Sequence, residues 1–243
     1  MSSGNEFRKY ERQLLIEGFG VESQQRLKKA KVAIAGIGGL GGVIAIYLTA
    51  AGVGKLRLID RDIVEITNLN RQILYGDKDI GKKKVDAARS RLISLNKDVE
   101  VEAVCEMIRP ENSSNLFKDL DVIVDALDNF ETRFILNDVS INNGIPLSHG
   151  AVRGFEGRAT TIVPGKTVCL KCIYPTVPDF GISPVIGVAP AVIGSIQATE
   201  VIKYITGIGE MLINRLLLYD GLSMEFSQIK LKRRSDCEAC RHV

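Results

Sequence analysis

Short apolar runs alternate with longer stretches of helix-forming residues through the first half of the chain, and this pattern predicts a parallel sheet with flanking helices. The first unit is a buried strand at Val32–Ala35, an apolar helix at Val43–Ala51 and a second strand at Lys55–Ile59. The same pattern then predicts helices at 82–96 and 132–143 and strands at 99–107 and 121–127. Two amphipathic segments, 7–18 and 21–29, precede the first strand and are predicted to be helical.

In the second half of the chain, predicted strands follow one another directly, which indicates antiparallel pairing. The predicted strands lie at 146–152, 158–163, 216–219 and 224–231, with a helix at 190–205. In the last strand the apolar positions change phase between Phe226 and Ile229, which predicts a β-bulge. Because no linker rich in glycine, proline or serine divides the halves, we expect a single domain over residues 1–243, built on one mixed sheet.

A glycine-rich turn with Gly36, Gly38, Gly39 and Gly41 lies between the first predicted strand and its helix. Glycines let the backbone turn tightly and approach a ligand, and free N–H groups at a helix N-terminus favour an anion such as phosphate. Asp60 ends the second strand, where an acid can hold ribose hydroxyls. Taken alone, the turn indicates a nucleotide site, and a dinucleotide is its usual occupant. Glycines that serve only helix–sheet packing are the alternative.

Composition and charge narrow the class of protein. The 243 residues are 45% hydrophobic, which is enough for a sizeable core. A formal net charge of +3 gives no indication of nucleic-acid binding or of a membrane surface, and no apolar stretch approaches the roughly 18 residues of a membrane helix. The polar N-terminus lacks the apolar core of a signal peptide. We therefore expect a cytoplasmic protein.

Four of the five cysteines form two Cys-x-x-Cys pairs, Cys169 with Cys172 and Cys237 with Cys240, here called the cysteine quartet. Four thiolates suit a closed, tetrahedral structural zinc site. Two disulfides are the alternative, which a cytoplasmic location disfavours. The fifth cysteine, Cys105, lies in a predicted strand and is expected to be a small buried residue.

Further polar motifs change the dinucleotide interpretation. They are the segments Arg8–Gln13, Asp60–Asp62, Asn68–Gln72, Gly81–Lys84 and Asp125–Asn129. In this order, and together with the cysteine quartet, they resemble the MoeB/ThiF/HesA family, the bacterial and archaeal relatives of ubiquitin-activating enzymes. The resemblance runs from about residue 6 to residue 240.

The resemblance implies a fold and an activity. The fold is α/β: a Rossmann-like parallel half continues into an antiparallel half, giving one mixed central sheet with flanking helices. N-terminal helices would occupy about residues 1–30, a nucleotide-binding half 31–150, and a carrier-binding and zinc half 151–243. The activity is adenylation, with ATP and Mg²⁺, of the C-terminal glycine carboxylate of a small ubiquitin-like sulfur-carrier protein, releasing pyrophosphate. The sequence does not distinguish molybdopterin, thiamine and other sulfur pathways.

The resemblance also implies roles for single residues. Asp60 would bind the ribose, Gly39 would pass close to the phosphates, and Asp128 would orient Mg²⁺. Three residues would contact the triphosphate, namely Asn68, Arg71 and Lys84. The same implied nucleotide-binding set also contains Gly36, Gly38, Gly41, Asp62 and Asn129.

Four of the implied residues, Arg12, Arg71, Lys84 and Asp128, would act in catalysis, with Arg12 reaching across a homodimer into the partner's ATP site. Each has a simpler explanation. Lys82–Lys84 could begin a solvated helix, and Arg12 could be an ordinary surface residue. Arg71 could pair with a nearby acid, Asp62 or Asp77. Asp128 could cap the helix that follows it.

The chain departs from many members of the resembled family at one place. They carry a reactive cysteine after the first zinc pair, whereas residues 173–236 contain no cysteine. We therefore expect the enzyme to stop at the acyl-adenylate, or to pass it to an external sulfur donor. The proline-rich segment 174–190 is either a flexible cover for the carrier's C-terminal tail or a packed surface loop.

Three other functions are open at this point. An NAD-dependent oxidoreductase is favoured by the glycine turn and Asp60, but gives no role to Asn68–Gln72, Lys84 or the cysteine quartet. An enzyme that adenylates a carboxylate of a modified tRNA nucleoside is disfavoured by the small net charge and the paired cysteines. A non-catalytic nucleotide-binding scaffold is disfavoured by the complete set of charged positions.

Overall fold

An eight-stranded sheet forms the centre of the molecule, in a computed structural model that describes residues 7–176 and 184–242. The strands are β1 Lys31–Ala35, β2 Lys55–Ile59, β3 Glu100–Val104, β4 Val122–Asp125, β5 Leu147–Arg153, β6 Glu156–Ile162, β7 Arg215–Asp220 and β8 Glu225–Lys230. The α-helices within these ranges are α1 Glu11–Leu14, α2 Gly20–Lys29, α3 Gly39–Ala51, α4 Lys84–Leu95, α5 Pro110–Leu116, α6 Phe130–Asn143, α7 Leu170–Ile173 and α8 Val188–Thr206.

The sheet is parallel in its first part and antiparallel in its second, as the sequence predicts. Its order is β3-β2-β1-β4-β5-β6-β7-β8. The strands from β3 to β5 pair in parallel, and those from β5 to β8 pair antiparallel. Because β1 and β4 are neighbours although β2 and β3 lie between them in the chain, a crevice opens beyond their carboxyl ends. The register places Ala35 beside Asp125 at this edge.

Helices cover both faces of the parallel part of the sheet. Val32 and Ile34 of β1 belong to the core that includes residues of α3, α4 and α8. Ala33 and Ala35 belong to the core on the other face, with residues of α5 and α6. This alternation buries residues 32–35 of β1 completely, as their apolar run predicts, and leaves only the first residue of the strand, Lys31, exposed. Within the described ranges, no helix is both long and apolar enough to cross a membrane.

The N-terminal region differs from the sequence prediction. The predicted helix at 7–18 is a 3₁₀ turn at Arg8–Tyr10 followed by the short α1. Gly18 and Gly20 have φ values of 76° and 57°, a conformation that interrupts a helix. The helix α5 is absent from the sequence prediction, although Pro110 at its first position is a helix-start signal.

Two helices begin at positions that matter for the crevice. The helix α3 begins at Gly39 rather than at Val43, because the glycine turn itself forms the first helical turn. The helix α4 begins at Lys84 rather than at Lys82. The first shift brings backbone amides closer to the carboxyl end of β1. The second places the cation of Lys84 closer to the carboxyl end of β2.

The predicted bulge in the last strand is wrong. The strands β7 and β8 pair residue by residue from Arg215 with Lys230 to Asp220 with Glu225. Met224 lies in the preceding turn with a φ of 58°, and every residue of β8 is exposed. In an edge strand that buries neither face, apolar residues need not alternate with polar ones, so a change in their spacing does not indicate a bulge.

Candidate active site

The glycine turn forms a tight loop at the N-terminus of α3. A Cβ atom on Gly41 would lie 1.9 Å from the carbonyl oxygen of Gly36. A Cβ atom on Gly36, where φ is +87°, would lie 2.8 Å from the carbonyl oxygen of Ala126. The first backbone hydrogen bond of the helix runs from Gly42 N to Gly38 O at 2.9 Å. The three amides before Gly42 therefore have no partner within the helix and suit an anion.

The carboxylate of Asp60 holds this loop from the end of β2. Its Oδ2 accepts a hydrogen bond from Ile37 N at 2.7 Å, and its Oδ1 accepts one from Asp62 N at 2.9 Å. The hydroxyl of Tyr75 adds a link to α4, since it lies 2.8 Å from Ile37 O and 3.3 Å from Lys84 O. Each carboxylate oxygen can accept a second hydrogen bond. This ordering role, absent from the sequence prediction, is therefore compatible with ribose binding.

Lys84 is buried, whereas its neighbours Lys82 and Lys83 are exposed. The Nζ of Lys84 lies 3.0 Å from Asp62 Oδ2. The explanation as a solvated helix start therefore holds for the first two lysines and fails for Lys84. A buried ammonium group at a helix N-terminus opposes the helix dipole, and among the described residues only the partly exposed carboxylate of Asp62 forms an ion pair with it.

The guanidinium of Arg71 is held by neutral acceptors. Its Nη1 donates to Thr67 O at 2.8 Å and to Asn70 Oδ1 at 3.1 Å. The explanation that pairs Arg71 with Asp62 or Asp77 is wrong. Its positive charge is thus oriented, and no carboxylate within residues 7–176 and 184–242 pairs with it.

Asn68 and Gln72 are buried on the same segment. The Oδ1 of Asn68 accepts a hydrogen bond from Glu65 N at 3.1 Å and so shapes the segment's 3₁₀ turn. The amide of Gln72 lies 3.6 Å from the Cβ position of Gly38, and its Oε1 has no hydrogen-bond partner within the described residues. Such a group next to an anion-binding loop is suited to a ligand's donor. Gln72 was missing from the predicted site, although it stands inside the Asn68–Gln72 motif.

The start of α8 packs directly on this segment. A Cβ atom on Gly187 would lie 2.6 Å from Asn70 O. The side chain of Pro190 lies 3.1 Å from the Cβ position of Gly39. The polar segment that follows β2 is therefore confined between the glycine turn and α8, as a precise site for a charged ligand requires.

Asp128 is exposed beyond the end of β4, and its neighbour Asn129 is the helix cap. The Oδ1 of Asn129 accepts a hydrogen bond from Thr132 N at 2.9 Å at the start of α6. The explanation of Asp128 as the cap is therefore wrong. Its carboxylate contacts the side chain of Asn129 at 3.4 Å. An exposed carboxylate at the end of a strand has the chemistry of a magnesium ligand.

Arg12 lies apart from the other predicted residues. The loops after β1, β2 and β4 meet at one edge of the sheet because parallel strands end there. Arg12 is exposed on α1 beside Gln13, whose Nε2 lies 3.2 Å from Ala51 O. Ala51 is the last residue of α3, which has 13 residues and so spans roughly 20 Å. Arg12 is thus at the opposite end of α3 from the glycine loop.

A buried charged cluster lies at the base of the Asp128 loop and is absent from the sequence prediction. Asp125 is fully buried, with Oδ2 lying 2.6 Å from His149 Nδ1 and 3.4 Å from Arg133 Nε. Burial raises the pKa of Asp125, but the charge of Arg133 and the hydrogen bond to His149 outweigh it, so the pKa lies below its usual value. Burial lowers the pKa of His149, and the nearby carboxylate does not fully reverse this. The carboxylate is therefore ionised and the imidazole neutral.

The cysteine quartet converges as predicted. Its four Sγ atoms lie within 4.8 Å of one another. Cys169 is 3.6 Å from Cys237, and Cys172 is 3.5 Å from Cys240, which are distances between free thiols rather than disulfides. Sulfur atoms placed tetrahedrally about 2.3 Å from zinc lie roughly 3.8 Å apart. The four thiols thus fit a zinc ion and leave it no open position.

Cys105 is not the buried residue that the sequence predicts. It is half-exposed just beyond β3, and its Sγ lies 3.8 Å from Arg61 O. The strand is shorter than predicted and ends at Val104, so its last buried position precedes the cysteine. The cover predicted at 174–190 lies partly outside the described residues, since 177–183 belong to neither described range.

Comparison with known proteins shows the family. The sequence profile of the ThiF family matches residues 10–239, and the chain belongs to this family. This confirms the resemblance identified from the motifs.

Curated relatives match along nearly all of the chain. The SAMP-activating enzyme E1 of Haloferax volcanii is 42% identical over 238 residues, which are 96% of this chain and 88% of that protein. The sulfur carrier protein adenylyltransferase of Thermus thermophilus is 39% identical over 246 residues, 97% of this chain and 91% of that protein. A crystal structure of E. coli MccB with ATP has a TM-score of 0.86 at 25% identity and covers 98% of this chain and 75% of its own.

The zinc assignment predicts the metal content and its effect on stability. Metal analysis of the purified protein should give about one zinc ion per chain. Cys237→Ala should lose the ion and lower the melting temperature, because zinc binding contributes to the free energy of folding. Cys105→Ala is the matched control and should keep both. Two intact disulfides without zinc would contradict the assignment.

The loop geometry predicts that Gly41→Ala weakens ATP binding, because its new methyl group would displace the Gly36 carbonyl and the open amides with it. We expect the affinity measured by calorimetry to fall at least about tenfold, for a loss of the order of an overpacking penalty. Gly76→Ala is the control, since its Cβ atom would meet nothing within 4 Å. Equal ATP affinities of the two variants would show that the loop does not hold the phosphates.

Proposed function

We propose that this protein adenylates the C-terminal carboxylate of a small ubiquitin-like sulfur-carrier protein with ATP. The observation that carries the proposal is the convergence of an anion-binding loop, two cations and an exposed carboxylate at one edge of the sheet. The cations are Arg71 and Lys84, and the carboxylate is Asp128. The names of two relatives that match nearly the whole chain, a sulfur carrier protein adenylyltransferase and a SAMP-activating enzyme E1, support it.

Adenylation is a displacement at the α-phosphorus of ATP. A carboxylate oxygen of the carrier forms a bond to this phosphorus, and the bond from the phosphorus to the α–β bridging oxygen breaks. The electron pair leaves with pyrophosphate, and the other product is the acyl-adenylate. Negative charge therefore grows on the leaving phosphates, and cations placed there in advance lower the barrier.

The residues of the crevice match this distribution of charge. The open amides of the loop at Gly39 would contact the phosphates, and Asp60 would hold the ribose. Arg71 brings a charge that no acid in the described part of the chain neutralises, whereas the charge of Lys84 is partly balanced by Asp62. We therefore assign the larger electrostatic contribution to Arg71.

The remaining implied positions complete the nucleotide site. Asn68 would offer its amide to the triphosphate, and Asn129 orders the backbone that follows Asp128. Asp128 would hold a magnesium ion, which neutralises phosphate charge when bound. Two features of Asp128 fit a magnesium ligand. Its side chain is exposed, and the described contact of its carboxylate is a long one, to the neutral amide of Asn129.

Arg12 would complete the ATP site of a second copy of the chain. It lies far from its own glycine loop, and its guanidinium forms no hydrogen bond or ion pair within residues 7–176 and 184–242. Leu15 and Ile16 beside it are 75% and 55% exposed. This apolar surface next to an unpaired cation is suited to a homodimer interface.

The second half of the chain would bind the carrier, and zinc would stabilise this half. The cysteine quartet joins α7, which contains Cys172 and is capped by Cys169, to the C-terminal end. Because no cysteine lies between 173 and 236, the reaction would end at the acyl-adenylate or continue on an external sulfur donor.

The proposed function is tested by ATP–pyrophosphate exchange with candidate sulfur-carrier proteins. Exchange should require both the carrier and its free C-terminal carboxylate. A carrier that lacks its terminal glycine is the control and should give none. Exchange without any carrier, or none with every ubiquitin-like carrier of the source organism, would contradict the proposal.

The charge assignment predicts the effects of four substitutions. Arg71→Ala, Lys84→Ala and Asp128→Ala should each slow carrier-dependent exchange on the order of a hundredfold, the usual effect of removing one transition-state contact. Asp60→Ala should mainly weaken ATP binding. The exposed Lys82→Ala is the matched control for Lys84 and should keep the wild-type rate. Wild-type rates in the first three variants would refute the assignment.

The missing thiol predicts that Cys105 is dispensable. Cys105→Ala should keep full exchange, because the remaining cysteines belong to the quartet. The wild-type enzyme with ATP, Mg²⁺ and carrier should form a carrier adenylate without a thiol-sensitive adduct. An enzyme–carrier band that reductant removes on a denaturing gel would show nucleophilic cysteine chemistry instead.

A further inference from the structure

Tyr174 packs against Phe130, the first residue of α6, and against His149 of β5. Its ring meets that of Phe130 edge-on, with 5.0 Å between the centroids, and lies 5.8 Å from the ring of His149. Its hydroxyl is 3.5 Å from His149 Nε2. Tyr174 also lies two residues beyond Cys172. The chain that leaves the cysteine quartet therefore packs against the start of α6, two residues beyond Asp128.

The orientation of His149 follows from its neighbours. Its Nδ1 lies 2.6 Å from the ionised carboxylate of Asp125 and therefore carries the proton that it donates. In a neutral ring Nε2 is then an acceptor, and it faces the hydroxyl of Tyr174. A directed chain of donors thus runs from Tyr174 through His149 to Asp125.

Asp125 and its partners fix the backbone that leads to Asp128. The Oδ1 of Asp125 accepts a hydrogen bond from Leu127 N at 3.1 Å, and Arg133 donates to Leu127 O. The main-chain oxygen of Asp125 accepts one from Gln197 Nε2 at 2.9 Å. Groups from β4, α6 and α8 therefore hold the peptide units immediately before Asp128.

From these contacts we infer that His149 and Tyr174 are positioning residues for the carboxylate of Asp128. The inference rests on the proposed function, in which this carboxylate holds magnesium. Without the hydrogen bond between Tyr174 and His149, the side chain of Asp125 and the loop after it gain freedom. The carboxylate then binds magnesium less well, typically by about 10- to 100-fold when such a supporting contact is lost.

The test compares ATP affinity with and without Mg²⁺ by calorimetry. In Tyr174→Phe and in His149→Asn, the gain in ATP affinity caused by Mg²⁺ should fall about tenfold. In Tyr174→Phe the affinity without Mg²⁺ and the melting temperature should stay near the wild-type values, which separates positioning from a loss of stability. His149→Asn shortens a fully buried side chain and should also lower the melting temperature. Asparagine can still donate to Asp125 but cannot accept from Tyr174. Since both changes remove the same hydrogen bond, the double variant should lose nothing further.

A matched control removes a different tyrosine hydroxyl. In Tyr219→Phe the lost group lies 3.7 Å from the sulfur of Met224, in the β7–β8 hairpin, and the Mg²⁺ effect should be unchanged. Suppose that Asp128→Asn abolishes the gain in ATP affinity caused by Mg²⁺ and Tyr174→Phe leaves that gain unchanged. This pair of results would overturn the positioning role but not the proposed role of Asp128. Losses that add in the double variant would overturn it too. A full Mg²⁺ effect in Asp128→Asn would overturn the proposed role of Asp128, and this inference with it.

Discussion

The close contact of the backbone at Gly36 and Gly41 decides where the rest of the site can lie. A carbonyl oxygen occupies the space in which a side chain of Gly41 would begin, so α3 starts directly beyond β1 with its first amides open. Asp60 then binds the loop from the next strand. Because β1 and β4 are neighbours, the same edge receives Asp128. A polyanion is the ligand that this arrangement of dipole, amides and charges favours.

The cations in and below the crevice differ in how far carboxylates of the protein compensate their charge, and this decides how much charge each could offer to a bound nucleotide. Arg71 is oriented by two neutral oxygens, whereas Lys84 is buried against Asp62. A third cation, Arg133, is used entirely inside the protein, where it compensates the buried charge of Asp125. Of these three described residues, Arg71 is thus available to a ligand, Lys84 is partly available and Arg133 is structural. The bound nucleotide would meet a site that is already organised before it arrives.

Features that depend on local sequence could be predicted, and those that depend on distant partners could not. The β1-α3-β2 unit follows from apolar runs and glycines, and the cysteine quartet follows from its spacing. The hydrogen bond between Asp125 and His149 joins residues 24 positions apart. The sequence around either residue does not predict this bond, apart from the charge of Asp125 at the end of an apolar strand. The bulge predicted in β8 fails because that strand buries no face. The role proposed for Arg12 needs a second copy of the chain, which one sequence does not place.

The central claim is that the protein transfers the AMP part of ATP to the terminal carboxylate of a sulfur carrier. Following the radiolabelled phosphate of ATP tests this claim most directly. The protein is incubated with a candidate sulfur carrier and ATP radiolabelled at either the α- or the γ-phosphate. The account predicts that only the α-label becomes attached to the carrier, through its terminal carboxylate, and that the γ-label appears in pyrophosphate. Transfer of the γ-label to the carrier, or attachment of the α-label to a carrier without that carboxylate, would contradict it.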